Sequence, residues 1–322
     1  MTADVETMAY TGPRPWHGLG YEVDPTLSPD EMIVAAGLDW RVKKEPLFLK
    51  DHQHQIHSHF ALTRYDRDGK FMSTLGVCGP KYEPVQNRDA FKFFQRFTNA
   101  GAMTLQTAGA LDFGRKVWCL ASINDGFTLP GDDRVEGYIL MYHPHIWGKA
   151  LSIMFTPIRV VCQNTLTMAL AQSSGHFRMP HIHDFDDSII KAAEETLGLS
   201  GLLLNGFHER AKFLTTKQFN EETVNRFIAG LFDKKCANED EFEAADMNRT
   251  AYRVKQLIDL QPGHDMKAMR GTWWGAFNAV TYFVDHEAGN NRDTALQSAW
   301  FGQRAALKRK ALEDALEFAK AA

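Results

Sequence analysis

The side chains with the most chemical capacity in this sequence are histidines and a set of lysines and arginines gathered in a few stretches. His52, His54, His57 and His59 crowd one segment. Spacings of two put pairs on one side of a strand, where they could share a metal. Gln53, Gln55 and Ser58 interleave them and no acidic or cysteine ligand completes a set, so a solvated loop is the preferred reading. A second stretch runs His181-Ile182-His183-Asp184-Phe185-Asp186-Asp187. Its imidazoles and carboxylates suit Mn or Zn, which makes His181, His183, Asp184 and Asp186 the candidate metal ligands. The plainer reading is preferred: these acids precede a helix at Ser188 and favour its positive end. No metal and no other cofactor is expected.

Motifs that would fix an enzyme class are missing. No GxGxxG follows a strand, no GxxxxGK[ST] cradles a phosphate, and neither a GxSxG elbow nor an HExxH pair occurs. Gly12 to Gly20 is glycine-rich but follows no strand and precedes no helix, so it reads as an irregular lead-in with Trp16 packed on a sheet. Catalysis is unsupported, and no catalytic residue is assigned.

Charge distribution is more informative than net charge, which is −4. Residues 1–40 hold one Arg against seven Asp/Glu, a balance of −6, while residues 41–122 hold thirteen Lys/Arg against seven Asp/Glu, a balance of +6. An anionic partner senses charge within about a Debye length, roughly 10 Å, so the local excess matters more than the total. Arg88, Lys92, Arg96, Arg115, Lys116 and Arg159 are the candidate phosphate contacts, with Lys43, Lys44, Arg64, Arg67 and Lys70 nearby and Tyr65 or Tyr82 available for stacking. A helix with one apolar face normally carries charge on the other, and that alone could explain the pattern.

The elements that position these residues follow from local signals. Ser28-Pro29-Asp30-Glu31 reads as a capped helix start that ends at Gly37. Arg41 to Leu49 reads as a strand with Pro46 at an edge or bulge, and Asp66-Arg67-Asp68-Gly69 turns a hairpin between Phe60–Tyr65 and Phe71–Val77. Asn87 is expected to cap a helix to Thr98. At about 100° per residue, Ala90, Phe91, Phe93, Phe94 and Phe97 fall on its inner arc, and Arg88, Lys92 and Arg96 on the outer. A second hairpin joins Thr104–Leu111 to Lys116–Ile123, and strands follow at Tyr138–Tyr142 and Ala150–Phe155 with His143-Pro144-His145 between them. A helix is expected from Thr165. Beyond Gly175 no strand is expected, and helices are read at Asp186–Leu197, Glu221–Phe232, Glu239–Leu260, Met266–His286 and Thr294–Ala319. Adjacent Trp273 and Trp274 are expected not to face the same core, so that one packs against the sheet domain or another subunit, although a large intramolecular core is the commoner use of such residues.

The expected fold class is α+β: a mostly antiparallel sheet with packed helices in a domain of residues 1–170, then an all-helical domain of residues 171–322 used for packing or oligomerisation. Hydrophobic content of 44% and charged content of 24% support a folded chain. Cys78, Cys119, Cys162 and Cys236 form no CxxC pair, and Cys119 and Cys162 read as buried thiols of a reducing compartment. The start MTADVETMAY lacks a basic and an apolar region, and Leu151 to Cys162, the best membrane candidate, is broken by Pro157 and Arg159. A cytoplasmic location without membrane contact is expected.

Several stretches together resemble a family of phage/plasmid-like proteins that carry a domain of unknown function. They are Trp16-His17-Gly18-Leu19-Gly20, Ala35 to Trp40, Tyr82 to Arg88, Gly114 to Trp118, Phe155 to Leu166, and Gly271-Thr272-Trp273-Trp274 through His286. They span most of the chain, which departs from the family at His52–His59 and His143-Pro144-His145. The resemblance implies a mobile-element setting and no particular activity. A more distant similarity is topological: helix, strand, hairpin and helix from Ser28 to Thr98 resemble the core of single-strand annealing recombination proteins, which hold DNA in a basic groove and form rings. Three functions are therefore carried forward. The first is a non-enzymatic nucleic-acid-binding protein of phage/plasmid DNA metabolism, of the single-strand annealing kind, with single-stranded DNA as partner and a homo-oligomeric state. The second is a metal-dependent enzyme acting on nucleic acid or a nucleotide. The third is a structural or host-interaction protein of a mobile element.

Overall fold

The computed structural model describes residues 5–12, 19–51, 54–99, 102–159, 164–165, 176–181, 191, 195, 198, 200–237, 243–288 and 303–321. The chain divides into two compact units that interleave along the sequence. One takes Met1–Asn124, Tyr138–Phe155 and Ser173–Ser200; the other takes Asp125–Gly137, Thr156–Gln172 and Gly201–Ala322.

The first unit opens with β1 (Val5–Tyr10), β2 (Tyr21–Glu22) and helix α1 (Pro29–Ala35). The capping box is present: the Ser28 side chain accepts from the Glu31 backbone N–H, and Glu31 accepts from the Ser28 backbone N–H at 2.8 Å. Strands β3 (Arg41–Phe48), β4 (Gln55–Tyr65) and β5 (Phe71–Cys78) make an antiparallel three-stranded sheet. Its hairpin closes at Tyr65 opposite Phe71, and the register slips at Pro46, which has no N–H to give the ladder. The histidine segment is strand from Gln55 onward instead of loop: Gln55 and Ile56 pair with β3, and Phe60–Tyr65 finds partners on both sides.

Helix α2 (Asn87–Asn99) buries Ala90, Phe91, Phe93 and Phe94, packing against α1 and β6 (Met103–Leu111). Asn87 lies inside the helix, and its amide is spent on distant groups described below, so it is a tie more than a cap. Strands β7 (Lys116–Leu129), β8 (Asp133–Pro144) and β9 (Ala150–Arg159) extend a second sheet in the order β9-β8-β7-β6-β1-β2. The pairing of β1 with β2 is parallel. A further strand, β11 (His176–Pro180), pairs antiparallel with β9 from His176 opposite Met154 to Pro180 opposite Ala150. The expectation that strands stop at Gly175 is thus corrected. Five residues between a Gly and the Pro at their end are too short to show a period, and their partner lies in a distant strand.

Gly109 illustrates how closely this sheet is packed. A Cβ there would stand 2.3 Å from the Trp118 ring and 2.5 Å from the Thr7 carbonyl. Gly109→Ala is expected to cost about 1–3 kcal/mol, because the buried indole has nowhere to move. Thermal unfolding followed by circular dichroism checks it; an unchanged midpoint would show that the ring yields freely.

The second unit carries β10 (Asn164–Thr165), which pairs with β9 through Thr165 opposite Ile158, so Thr165 is strand and not helix. Its helices are α3 (Ser200–Thr216), α4 (Glu221–Phe232), α5 (Lys234–Ala237), α6 (Arg249–Leu257), α7 (Trp273–Tyr282) and α8 (Gln303–Ala321). Helix α4 has the expected bounds, capped by Asn220. Helix α3 was not expected, since Gly201 and Gly206 weaken its propensity. Its buried Leu203, Leu204, Phe207, Ala211 and Leu214 nonetheless keep helical spacing.

Trp273 and Trp274 are both wholly buried, which overturns the expectation for the pair. Residues 273–281 are buried all round, so α7 has no outward face and both rings enter one core. Trp273 stacks on Phe318 at 5.4 Å, and the Trp274 Nε1–H donates to the Asp133 carboxylate at 2.8 Å. Neither ring is left for an interface. Among the described residues no helix is long and apolar enough to cross a membrane.

Candidate functional site

Four of the candidate phosphate contacts, Arg88, Lys92, Arg115 and Lys116, lie in the first unit and carry acidic partners. Arg88 lies 3.7 Å from Asp30 and Lys92 2.7 Å from Asp89. Arg115 and Lys116 share Asp112 at 3.6 and 3.1 Å. Arg64 is buried, held by both Glu6 carboxylate oxygens at 2.7 and 2.8 Å and set 4.4 Å over the Trp40 ring. Arg96 falls within α2, and Arg159 ends β9, in the second unit.

Of the metal candidates, His183, Asp184 and Asp186 lie outside the described residues. Among those described, no group of three or more His, Cys, Asp or Glu is arranged to hold a metal. His181 is placed, and its neighbours are other histidines. His143 and His145, at and just beyond the end of β8, are fully buried, and His181, just past β11, is 2% exposed. The ring centroids of His143 lie 4.3 Å from His145 and 5.3 Å from His181.

Hydrogen bonds fix the state of these rings. The Asn87 Nδ2 amide donates to the Leu38 carbonyl at 2.9 Å, which leaves Asn87 Oδ1 to accept from His145 Nε2 at 2.9 Å. The Val85 carbonyl accepts from His143 Nε2 at 3.1 Å. Both rings therefore carry their proton on Nε2, with Nδ1 unpartnered among the described residues. Burial pushes all three pKa values down. His143 and His145 fall well below the ordinary range, with the neighbouring rings adding to the effect, and His181 falls to about 4. The Pro144 carbonyl opposes the shift of His181 without reaching hydrogen-bond geometry to either ring nitrogen. At neutral pH the three rings form an uncharged cluster.

This cluster backs a cavity of about 470 Å³, also in the first unit, lined by Lys81, Tyr82, Trp147, Lys149, Arg178 and His181 among others. The loop carrying Tyr82 is tied down by Lys44 Nζ, which donates to the Pro80 and Tyr82 carbonyls at 3.0 and 2.8 Å. Glu83 N–H donates to the His181 carbonyl at 2.8 Å, which joins that loop to the end of β11. Tyr82 stacks on His181 at 5.0 Å and 13°, and burial holds its phenol protonated by pushing its pKa up.

Trp147 stands in the turn between β8 and β9 and remains 55% exposed. One edge of its indole meets His59 at 5.7 Å, and Gly79 leaves room for the other, since a Cβ there would lie 2.9 Å from the ring. Lys81, Lys149 and Arg178 are exposed and have no acidic partner among the described residues. The cavity thus presents a fixed aromatic face with three unneutralised cations. Sequence reading named Tyr82 and His181 but missed Trp147, Lys149 and Arg178; the tryptophan between histidine-proline and glycine-lysine was the available signal.

No curated protein and no solved structure matches the chain. The family model described as "Domain of unknown function (DUF932)" matches residues 74–311, a span that includes every residue lining the cavity. Through that match over most of its length, the chain belongs to the DUF932 family of proteins with a domain of unknown function.

Proposed function

We propose that the protein is a non-enzymatic nucleic-acid-binding protein of phage or plasmid DNA metabolism, of the single-strand annealing kind, acting as a homo-oligomer on single-stranded DNA. The observation that carries this reading is Trp147, held with its indole exposed among Lys81, Lys149 and Arg178. Single-strand binding needs cations to follow the phosphates and an aromatic face on which bases stack. Arg88, Lys92, Arg115 and Lys116 add charge, and the exposed pairs Arg88–Asp30 and Lys92–Asp89 are weak enough for a phosphate to replace the carboxylate. Arg96 and Arg159 complete the set of proposed phosphate contacts.

A salt titration of binding to a labelled single strand tests the reading. Lys149→Glu with Arg178→Glu is expected to lower affinity at least about tenfold at low salt. The slope of log affinity against log salt should become shallower by about 1.4, at roughly 0.7 per lost phosphate contact. Arg88→Glu with Lys92→Glu is expected to act in the same direction, and more weakly. Absence of binding at low salt, or indifference to both pairs of reversals, would overturn the proposal. Particle imaging with and without the strand reads the assembly.

A further inference from the structure

We infer that the cavity beside Trp147 is a one-nucleotide site, in which one base of a bound single strand leaves its neighbours and inserts against the indole. The inference rests on the nucleic-acid reading above and adds what the ligand must be. Its size is the first argument. A cavity of about 470 Å³ is within the range that takes one small molecule, and far too small for a base pair with its backbone.

The wall is the second argument. Tyr82, His181 and His143 form a column of stacked rings, with interplanar angles of 13° between Tyr82 and His181 and 25° between His181 and His143. Such a wall is preorganised: its side chains have no freedom left to lose when a flat ring enters. Trp147 supplies a second aromatic surface, fixed against His59 and Gly79.

The third argument is unsatisfied polarity. The Tyr82 hydroxyl and both ring nitrogens of His181, on two residues that line this cavity, are buried and have no hydrogen-bond partner among the described residues. Buried polar atoms left alone are costly and uncommon, and they call for a ligand or ordered water. A nucleobase brings donors and acceptors on its edge as well as a π face. Inorganic phosphate would satisfy the cations of the rim and leave these atoms unpaired. A duplex keeps its ring faces stacked inside, so the site selects unpaired strands.

The test compares a short labelled oligothymidylate with an abasic strand of the same length, which keeps every phosphate. Wild-type protein is expected to bind the abasic strand about tenfold or more weakly, the usual loss of one stacked base. Trp147→Ala should lower oligothymidylate affinity by a similar factor, leave abasic binding unchanged, and leave the unfolding midpoint unchanged because the ring is largely exposed. Trp147→Phe should recover part of the loss. Tyr82→Phe keeps the ring column and removes one unpartnered hydroxyl, so it should fold normally and alter the relative affinity for different homopolymers. Thymidine monophosphate should displace the strand at lower concentration than inorganic phosphate. Equal binding of the abasic and normal strands, or equal displacement by the two competitors, would overturn base insertion and leave the charge-based reading standing. If neither strand binds at low salt, both fall.

Discussion

Mild acid is expected to unfold the sheet unit, and His143, His145 and His181 set the pH at which it happens. Their folded pKa values lie below the unfolded value of about 6.5, so the unfolded chain takes up protons first. The sign follows directly: the stability these neutral rings allow is fully present above about pH 6.5 and is lost as pH falls toward the folded values, about 4 for His181. Each ring contributes a slope of about 1.4 kcal/mol per pH unit inside that window. Between neutral pH and pH 5 His181 alone loses about 2 kcal/mol, a large part of the stability of a typical domain, and His143 and His145 act in the same direction. No carboxylate is among the groups that shift these three rings. The buried Arg64 guanidinium lies close enough to oppose protonation of His145. Denaturant unfolding between pH 7.5 and about 4.5 measures the slope. His181→Phe keeps a ring against Tyr82 and removes one titrating group, so it should flatten the slope by about a third. An identical pH profile for this variant would show that the cluster does not control acid stability.

In the helical unit, removing Asp285 is expected to be among the most damaging single changes. Lys308 on α8 is completely buried, and its ammonium meets the Asp285 carboxylate at 2.8 Å. Burial lowers the Lys308 pKa, and Asp285 works against that shift. Asp285→Ala leaves the ammonium in the interior with its main counter-charge gone, a loss of about 3–5 kcal/mol. Asp285→Leu with Lys308→Met removes both charges and should recover most of it, because the desolvation of two ions disappears with their attraction. The deficit of Asp285→Ala should also shrink as pH rises toward the lysine range, since a neutral amine costs less to bury. Urea unfolding of the three proteins at pH 7 and 9.5 checks the sign and the size. A loss under about 1 kcal/mol for Asp285→Ala would mean that the interior holds the ammonium without needing this carboxylate.

Local signals were read well where the chain makes its own contacts. The Ser28–Glu31 capping box, the turns after Tyr65 and Leu111, the slip at Pro46 and the bounds of α4 each depend on residues a few positions apart. The inner face of α2 was legible for the same reason, as Phe91, Phe93 and Phe94 repeat at helical spacing. Errors fell where the partner is remote. Thr165 is strand because Ile158 pairs with it, and β11 exists because β9 offers an edge. Helix α3 was hidden by its glycines, whose propensity cost is outweighed by burial of Phe207 and Leu214.

The histidines and basic residues show the same division most clearly. The sequence by itself determined that residues 41–122 carry an excess of positive charge and that no standard catalytic motif is present, while it placed His143 and His145 in a turn and His181 at the head of an acidic stretch. Only the tertiary structure decided which charges are spent. Asp30, Asp89 and Asp112 occupy the expected cations, while Lys81, Lys149 and Arg178 stand without acidic partners among the described residues around Trp147. The cavity draws on the segments near 81, 147 and 178, brought together by the β9–β11 pairing and the Glu83–His181 backbone bond. The physical reason is range. Capping, turns and helical periodicity act over a few residues and are written locally, whereas charge neutralisation and burial depend on whatever the fold places alongside.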